Sequence, residues 1–486
     1  MNNCGTCGRH FKTKTRSVFL TSSLFTITYY LFWGVVMVKN KSTVQNILSI
    51  LIGGFLMGFL WRVRGTHGWG SSWGLLSAGL LFTFFLIVLS GERKKLNIGW
   101  FSLTVGSFML TSPAWGTFLN QITGVLYSES SWINETGGTV YTSVGAAVFI
   151  MLCTGLGMAA IYGIMLGRGF SDKQWKIKDF VILFAVFYGT YLLSELTVSH
   201  WILNLIQPEA ATLFEQGLKT SGYDMSAYEA FVKNLGGISW AKKIDGGRNY
   251  FASIITISSA IRCISALLAV RFITKDKVAA KIGAVVSGAF AFSITVSDLF
   301  FYFANGGYHM EGEPLFSEFI AAWSCWEYFT GFIAGVIITA VLVFMKKRED
   351  VPEITFDFVP EKLQQVLLFI LSSVFVIGFS IARPIMVRND ETDFAIFFTI
   401  MAVLVAIVSV TLINYKWGFN LKNTDMFNFS KVMLPAFAVF TFIVYMVMGD
   451  EPCYKDLNRL HTVMVIISFV AVLGWCFSQR KMKNKE

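Results

Sequence analysis

Residues 142–167 read TSVGAAVFIMLCTGLGMAAIYGIMLG and contain no charged side chain. An α-helix needs about 20 consecutive, mostly apolar residues to cross the hydrocarbon core of a bilayer, so this stretch is long enough for a transmembrane helix. Comparable stretches recur along the whole sequence. A transmembrane β-barrel would show alternating strands of about ten residues instead. The sequence therefore predicts an all-α polytopic membrane protein.

The composition agrees with this fold class. Of the 486 residues, 54% are hydrophobic and 14% are charged, and the mean hydropathy is +0.59, whereas soluble domains contain roughly 25% charged residues. A net charge of +10 would suggest a nucleic-acid partner for a soluble protein, but most Lys and Arg here lie in short segments between apolar stretches. We therefore expect membrane lipids and no nucleic acid as partners, and the basic residues to report topology.

About thirteen stretches qualify as spans, so we predict about 12–13 transmembrane helices in one domain over residues 18–478, between a basic tail at 1–17 and a second at 479–486. The spans are 18–38, 44–61, 72–89, 98–118, 142–167, 180–203, 251–271, 282–304, 318–345, 363–382, 394–414, 432–448 and 461–478. The long segment 207–250 contains two helical patterns, at 208–218 and at 224–235, with Asp224 as the expected N-cap of the second. This segment is expected to cover the membrane domain, as a lid over a cavity or as a passive packed loop.

The distribution of Lys and Arg predicts the orientation of the chain. Counting back from the tail 479–486 as cytoplasmic, each inside segment from residue 90 onward has three or four Lys or Arg. Each outside segment has at most two, except the long 207–250, where this rule is weak. We therefore expect a multi-pass protein of the plasma (inner) membrane with a cytoplasmic C-terminus.

The stretch WRVRGTHGWGSSWGLLSAG, residues 61–79, places Arg62, Arg64 and His67 between two apolar segments. The count of Lys and Arg assigns these residues to the outside. It also leaves the basic N-terminus outside, although basic segments normally lie on the cytoplasmic side. Either the chain has thirteen true spans, or a re-entrant or broken helix lies within 44–89. Gly54 and Gly58 recur four residues apart, which predicts close helix packing.

Arg62, Arg64 and His67 form a predicted binding site for an anion. A guanidinium can bind two carboxylate or phosphate oxygens at once and stays charged when partly desolvated. We expect the three residues in a turn before a second helix, whose N-terminus would also favour an anion. The alternatives are that the arginines extend to lipid phosphates or pair with carboxylates of the protein.

Four further ionisable residues lie within predicted spans and are candidates for function because charge is costly at that depth. Glu195, Asp298 and Glu327 are candidate proton carriers, and Arg262 is a candidate substrate-binding residue or the structural partner of one carboxylate. Trp323 and Trp326, beside Glu327, could stack on the body of a solute, although tryptophan is also common at membrane interfaces. We expect these groups to meet in one outward-opening cavity.

Metal, cofactor and catalytic signatures are weak. Cys4, Cys7 and His10 would form only half of a zinc site, and the group His309, Glu311, Glu313 and Glu318 has no recognised metal spacing. No hydrolase, zinc-protease or nucleotide-binding motif occurs in a suitable context. We expect no cofactor, no metal and no identifiable catalytic residue.

Two functions fit these features best, and the remaining alternative is a subunit or assembly protein with no catalysis of its own. The first is a secondary active transporter of a small organic anion or an acidic or phosphorylated sugar, with a proton as the coupling ion. The second is a polytopic membrane enzyme of the glycosyl- or acyltransferase type that acts on a lipid-linked substrate, with His67 or a carboxylate as general base. Gradient-driven uptake would distinguish the first from the second.

Overall fold

The structure is a computed structural model that describes residues 41–65, 72–91, 98–108, 143–173, 175–234, 244–304, 319–345, 426–447 and 453–482. Among these residues there is no strand, and seven helices are long and apolar enough to cross a membrane. The prediction of an all-α polytopic membrane protein is thus confirmed. The chain divides into two compact units, Met1–Ser49 and Ile50–Glu486, and the site described below lies in the second.

The described helices are numbered here in chain order. They are α1 (Lys41–Gly65), α2 (Ser72–Ser90), α3 (Ile98–Phe108), α4 (Val144–Arg168), α5 (Ile177–Leu196), α6 (Val198–Ile206), α7 (Glu209–Thr220), α8 (Ala227–Asn234), α9 (Gly247–Leu268), α10 (Lys277–Ser297), α11 (Leu299–Ala304), α12 (Ala322–Phe344), α13 (Met426–Val447) and α14 (Leu460–Met482). A π-helical turn, Ala269–Ile273, extends α9.

Each of the seven long helices coincides with a predicted span, while α2 and α13 contain shorter apolar segments. The predicted spans 18–38, 363–382 and 394–414 lie outside the described residues, so the count of 12–13 stays a prediction. Residues 66–71, between α1 and α2, also lie outside them. Whether 44–89 is re-entrant is therefore still a prediction, although α1 alone is long enough to span a bilayer.

Helix α4 lies at the centre of the described bundle, packed against α3, α9 and α10. It approaches α10 closely because glycines face that helix: a β-carbon at Gly163 would lie 2.8 Å from the Cα atom of Gly283. The side chain of Ser143 caps the start of α4 by accepting a hydrogen bond from the N–H of Ala146, at 3.2 Å. An uncharged sequence with small residues on one face is what allows this burial.

The predicted span 180–203 is wrong as a single helix. The chain breaks at Thr197, where φ is −140° and ψ is −84°, so α5 ends at Leu196 and α6 starts at Val198. The carbonyl oxygen of Glu195 lies at this break and accepts a hydrogen bond from the His200 ring, at 2.9 Å. The imidazole thus satisfies a backbone group at the end of α5.

The two helices predicted within 207–250 are present as α7 and α8, but Asp224 is not the N-cap. Ser226 takes that place: its hydroxyl accepts from the N–H of Glu229 at 3.2 Å, and its own N–H donates to the Glu229 carboxylate at 2.9 Å. This reciprocal pair is a capping box. It lowers the pKa of the exposed Glu229, because the charged carboxylate accepts hydrogen bonds from the N–H and the hydroxyl of Ser226.

Candidate functional site

Helices α1 and α12 pack at very short range because glycines line both faces of the contact. A β-carbon at Gly54 would collide with Val336, and one at Gly58 would lie 3.1 Å from the Tyr328 ring. On the other helix, a β-carbon at Gly331 would overlap the backbone of α1 at Met57. The predicted packing role of Gly54 and Gly58 is confirmed, and the partner helix is α12.

A buried ion cluster lies at one end of this contact. Nη1 of Arg62 is 2.7 Å from Oε2 of Glu327, and Nη2 of Arg64 is 3.5 Å from its Oε1. The indole N–H of Trp323 donates to the same Oε1 at 3.0 Å. Glu327 and Arg64 are completely buried, and Arg62 is 8% exposed. One carboxylate thus holds two guanidinium groups and an indole in a space closed to bulk water.

Both arginines belong to the last turn of α1 rather than to a turn beyond it. Cations are favourable at a helix C-terminus, and aromatic rings support both side chains. The Arg64 guanidinium lies 4.5 Å from the Trp61 ring centroid, and that of Arg62 lies 5.9 Å from the Tyr445 ring centroid. Such contacts fix the two cations on either side of Glu327. His67, the third predicted member of the group, lies outside the described residues.

The sequence identifies both arginines and Glu327 as candidates, but as separate features. The structure joins them, and it shows the arginines paired with a carboxylate of the protein, which is one of the three alternatives considered above. The predicted proton carrier Glu327 and the predicted anion-binding arginines are therefore one site.

Sequence reasoning missed His461, the second residue of α14. Its side chain is 2% exposed and is an electrostatic neighbour of Arg62 and Arg459. The start of α14 is held beside the start of α12, because the N–H of Leu460 donates to the carbonyl oxygen of Phe319 at 2.9 Å. A usable signal is present in the sequence: this is a histidine at the first position of the predicted span 461–478.

Two other predicted residues lie nearby in the fold. Trp326 is buried, and its indole N–H donates to the carbonyl oxygen of Ile294 on α10, at 3.3 Å. Asp298 is fully buried at the junction of α10 and α11, where its backbone carbonyl accepts from the N–H of Phe301. This hydrogen bond links α12 to α10, and its acceptor Ile294 lies one helical turn before Asp298.

Glu195 and Arg262 form a second charged group, between α5 and α9. The guanidinium of Arg262 lies 4.5 Å from the ring centroid of Phe187 and 4.7 Å from that of Tyr191. The Tyr191 hydroxyl donates to Glu195 at 3.3 Å, and Glu195 interacts electrostatically with Arg262. This pair belongs to helices other than those of Glu327. The expected single cavity is therefore divided into two charged groups among the described residues.

A further buried group, which sequence reasoning missed, lies beside the C-terminal end of α4. Asp276 caps α10, and its carboxylate also accepts from the Ser171 hydroxyl at 2.7 Å and from the Trp175 indole at 2.8 Å. Arg168, fully buried, is its electrostatic neighbour. These hydrogen bonds join the start of one helix to a connecting segment, which indicates a structural role.

In the part of the chain that the structure describes, no three His, Cys, Asp or Glu side chains are placed to hold a metal ion. Cys4, Cys7 and His10 lie outside that part. The second predicted group, His309, Glu311, Glu313 and Glu318, lies outside it as well. Neither set is tested.

No protein-family model, no curated protein and no solved structure matches this chain.

Proposed function

We propose that this protein is a secondary active transporter of a small organic anion or an acidic or phosphorylated sugar, driven by protons. The observation that carries the proposal is the sharing of Glu327 by Arg62 and Arg64. Glu327 is the proton site in this scheme, and the two arginines are the anion site.

Proton and anion binding are coupled in this scheme because the Glu327 carboxylate and the solute anion compete for the guanidinium groups of Arg62 and Arg64. While Glu327 is ionised, its carboxylate occupies both guanidinium groups. A proton on Glu327 removes that charge, and a solute carboxylate or phosphate can take its place. Because charges interact strongly away from water, the exchange strongly favours binding a proton and an anion together. By thermodynamic linkage, a bound anion raises the affinity of Glu327 for the proton by the same factor by which the proton raises the affinity for the anion.

The side chains around Glu327 suit a small anionic solute. Each guanidinium can bind two oxygens of a carboxylate or phosphate. Trp323, which is half-buried, adds an indole N–H that already donates to a carboxylate oxygen. A solute anion in the place of the Glu327 carboxylate would meet the same three donors.

The depth of the cluster favours transport over binding of a lipid headgroup. Glu327 lies about 8 Å from the start of α12, at 1.5 Å per residue, and is fully buried between helices. A phosphate of the lipid surface would instead be met by exposed side chains, whereas Arg64 is completely buried. The enzyme alternative uses His67 or a carboxylate as general base; the structure does not describe His67, and Glu327 is already paired with two arginines.

Uptake into proteoliposomes tests the proposal. We expect labelled carboxylates or sugar phosphates to accumulate when the outside is acidic, and accumulation to stop when a protonophore removes the gradient. Glu327→Gln resembles the protonated state, so this variant should still exchange internal for external anion but should not accumulate it. Glu229→Gln, at an exposed capping box, is the matched control and should behave as wild type. Gradient-independent uptake, or full accumulation by Glu327→Gln, would contradict the proposal.

The membrane and the orientation belong to the same proposal. Within the plasma (inner) membrane that we propose, the Lys and Arg distribution supports a cytoplasmic C-terminus with the ion cluster on the outer side. A phosphatase or fluorescent-protein fusion at Glu486 reports the side of the C-terminus. A fusion that is active only outside the cytoplasm would reverse the direction of transport that we assign.

A further inference from the structure

Several buried polar groups around the ion cluster have no hydrogen-bond partner among the described residues. They include both ring nitrogens of His461, the indole N–H of Trp61 and the hydroxyl of Thr330. Buried polar groups in proteins are nearly always hydrogen-bonded, and each exception requires an explanation. A solute that binds between these groups would provide one.

His461 is the most informative of these groups. It is 2% exposed, so bulk water does not satisfy its two nitrogens. It lies at the start of α14, whose backbone is joined to the segment before α12 through Leu460 and Phe319. Arg62, which binds Glu327 at 2.7 Å, is an electrostatic neighbour of the ring. His461 thus approaches the anion site from a third helix, with neither nitrogen engaged by a described group.

Trp61 and Thr330 approach the same cluster from α1 and α12. The Trp61 ring lies against the guanidinium of Arg64, at 4.5 Å, and is 1% exposed. Thr330 is fully buried and follows Glu327 by three residues, which places both on one face of α12. The unsatisfied groups named here therefore come from three helices, α1, α12 and α14.

The chemistry of His461 indicates what it would bind. A third positive charge is unfavourable beside Arg62 and Arg459, and a neutral imidazole presents one donor and one acceptor. An alcohol both accepts and donates a hydrogen bond, so hydroxyl groups suit the donor and the acceptor of this ring. A second carboxylate would offer only acceptors and a methyl group neither.

We propose that His461 is a specificity-determining residue that binds a hydroxyl group of the solute while Arg62 and Arg64 bind its acid group. The solute class is then a hydroxylated organic anion, such as a hydroxycarboxylate or a sugar acid. This inference rests on the proposed function and names its substrate class. It adds Trp61 and Thr330 as the groups that would bind further hydroxyls.

Matched pairs of labelled anions test the inference in proteoliposomes. The pairs are lactate with propionate and gluconate with hexanoate, which share a carboxylate and differ in hydroxyl groups. We expect wild type to prefer the hydroxylated member of at least one pair. His461→Phe should raise the KM of that member about ten- to hundredfold and leave the KM of the deoxy member unchanged. His461→Gln, which keeps a donor and an acceptor, should restore most of the preference.

The outcomes separate this inference from the proposed function. If wild type accumulates anions under a proton gradient but does not discriminate within either pair, the inference is wrong and the transport proposal stands. Equal effects of His461→Phe on both members would also overturn it, since a structural role affects all solutes alike. If wild type takes up no anion, the proposed function fails first. Should His461→Phe fail to fold, the wild-type preference and the His461→Gln variant still decide.

Discussion

Gly65 lies directly against the carboxylate of Glu327: a β-carbon at position 65 would occupy the space of both carboxylate oxygens. The last residue of α1 therefore has to be a glycine if a residue of α12 is to reach Arg62 and Arg64. This contact connects the close packing of the two helices with the geometry of the ion cluster. It also provides a way to disturb the cluster without changing a charge.

Gly65→Ala should displace the Glu327 carboxylate and weaken its pairing with the arginines. We expect destabilisation of about 1–3 kcal/mol, as for other overpacked sites, together with loss of proton-driven accumulation. Thermal unfolding in detergent and proteoliposome uptake measure the two effects. Gly189→Ala is the control: Gly189 lies within α5 and a β-carbon there meets no atom within 4 Å. That variant should be unchanged or slightly more stable, and equal losses in both variants would contradict the assignment.

Glu327→Gln should make stability depend on added anion. Removing one partner of a buried ion pair costs about 3–5 kcal/mol because the remaining charge is left uncompensated. A small anion that binds Arg62 and Arg64 would offset part of this cost, by an amount that grows with its concentration. We expect acetate, titrated at constant ionic strength, to raise the melting temperature of the variant more than that of wild type. Parallel titration curves would argue that no anion reaches the arginines.

The two charged groups should contribute independently to stability. Glu327 lies between α1 and α12, whereas Glu195 and Arg262 lie between α5 and α9. Effects at sites without shared partners add within about 0.5 kcal/mol, so Glu195→Gln combined with Glu327→Gln should give the sum of the single changes. Arg262→Gln should leave proton-driven accumulation intact. A large non-additive term, measured by a double-mutant cycle, would indicate one connected site.

The segment of α7 and α8 should loosen at acidic pH through His200. Burial lowers the pKa of this histidine, whose Nε2–H donates to the Glu195 carbonyl oxygen while Nδ1 accepts from the Tyr250 hydroxyl. Because the folded state favours the neutral ring, its contribution to stability is present above the unfolded pKa of about 6.5 and falls as the pH decreases. Tyr228 and Phe231 pack edge-on against the ring.

Hydrogen exchange of residues 209–234 between pH 5 and pH 7.5 measures this effect. Exchange in wild type should accelerate towards pH 5 beyond the intrinsic chemical trend, and His200→Gln should remove the excess. If exchange in wild type follows only the chemical trend, His200 does not make the stability of the α7 and α8 segment depend on pH.

The positions of the seven described spans, apart from the end of 180–203, could be predicted from the sequence because bilayer thickness sets the length of an apolar helix. The same holds for Gly54 and Gly58, since small residues four apart form a face that a neighbouring helix can approach. The break at Thr197 could not be predicted, because no proline or glycine marks it. At this break the side chain of His200 folds back from the next helix and its ring donates to the backbone carbonyl oxygen of Glu195.

Local composition is enough to give the fold class, most of the helix positions described here and the residue types that carry charge inside the membrane. It placed Arg62, Arg64 and Glu327 among the candidates, because an ionisable residue in an apolar span is costly wherever it occurs. Helix packing, in contrast, makes them partners, places Arg262 in another group and brings His461 close enough to interact electrostatically with Arg62. The physical reason is distance along the chain: Arg62 and Glu327 are 265 residues apart, and their contact is set by how glycine-lined helices pack, which no local pattern encodes.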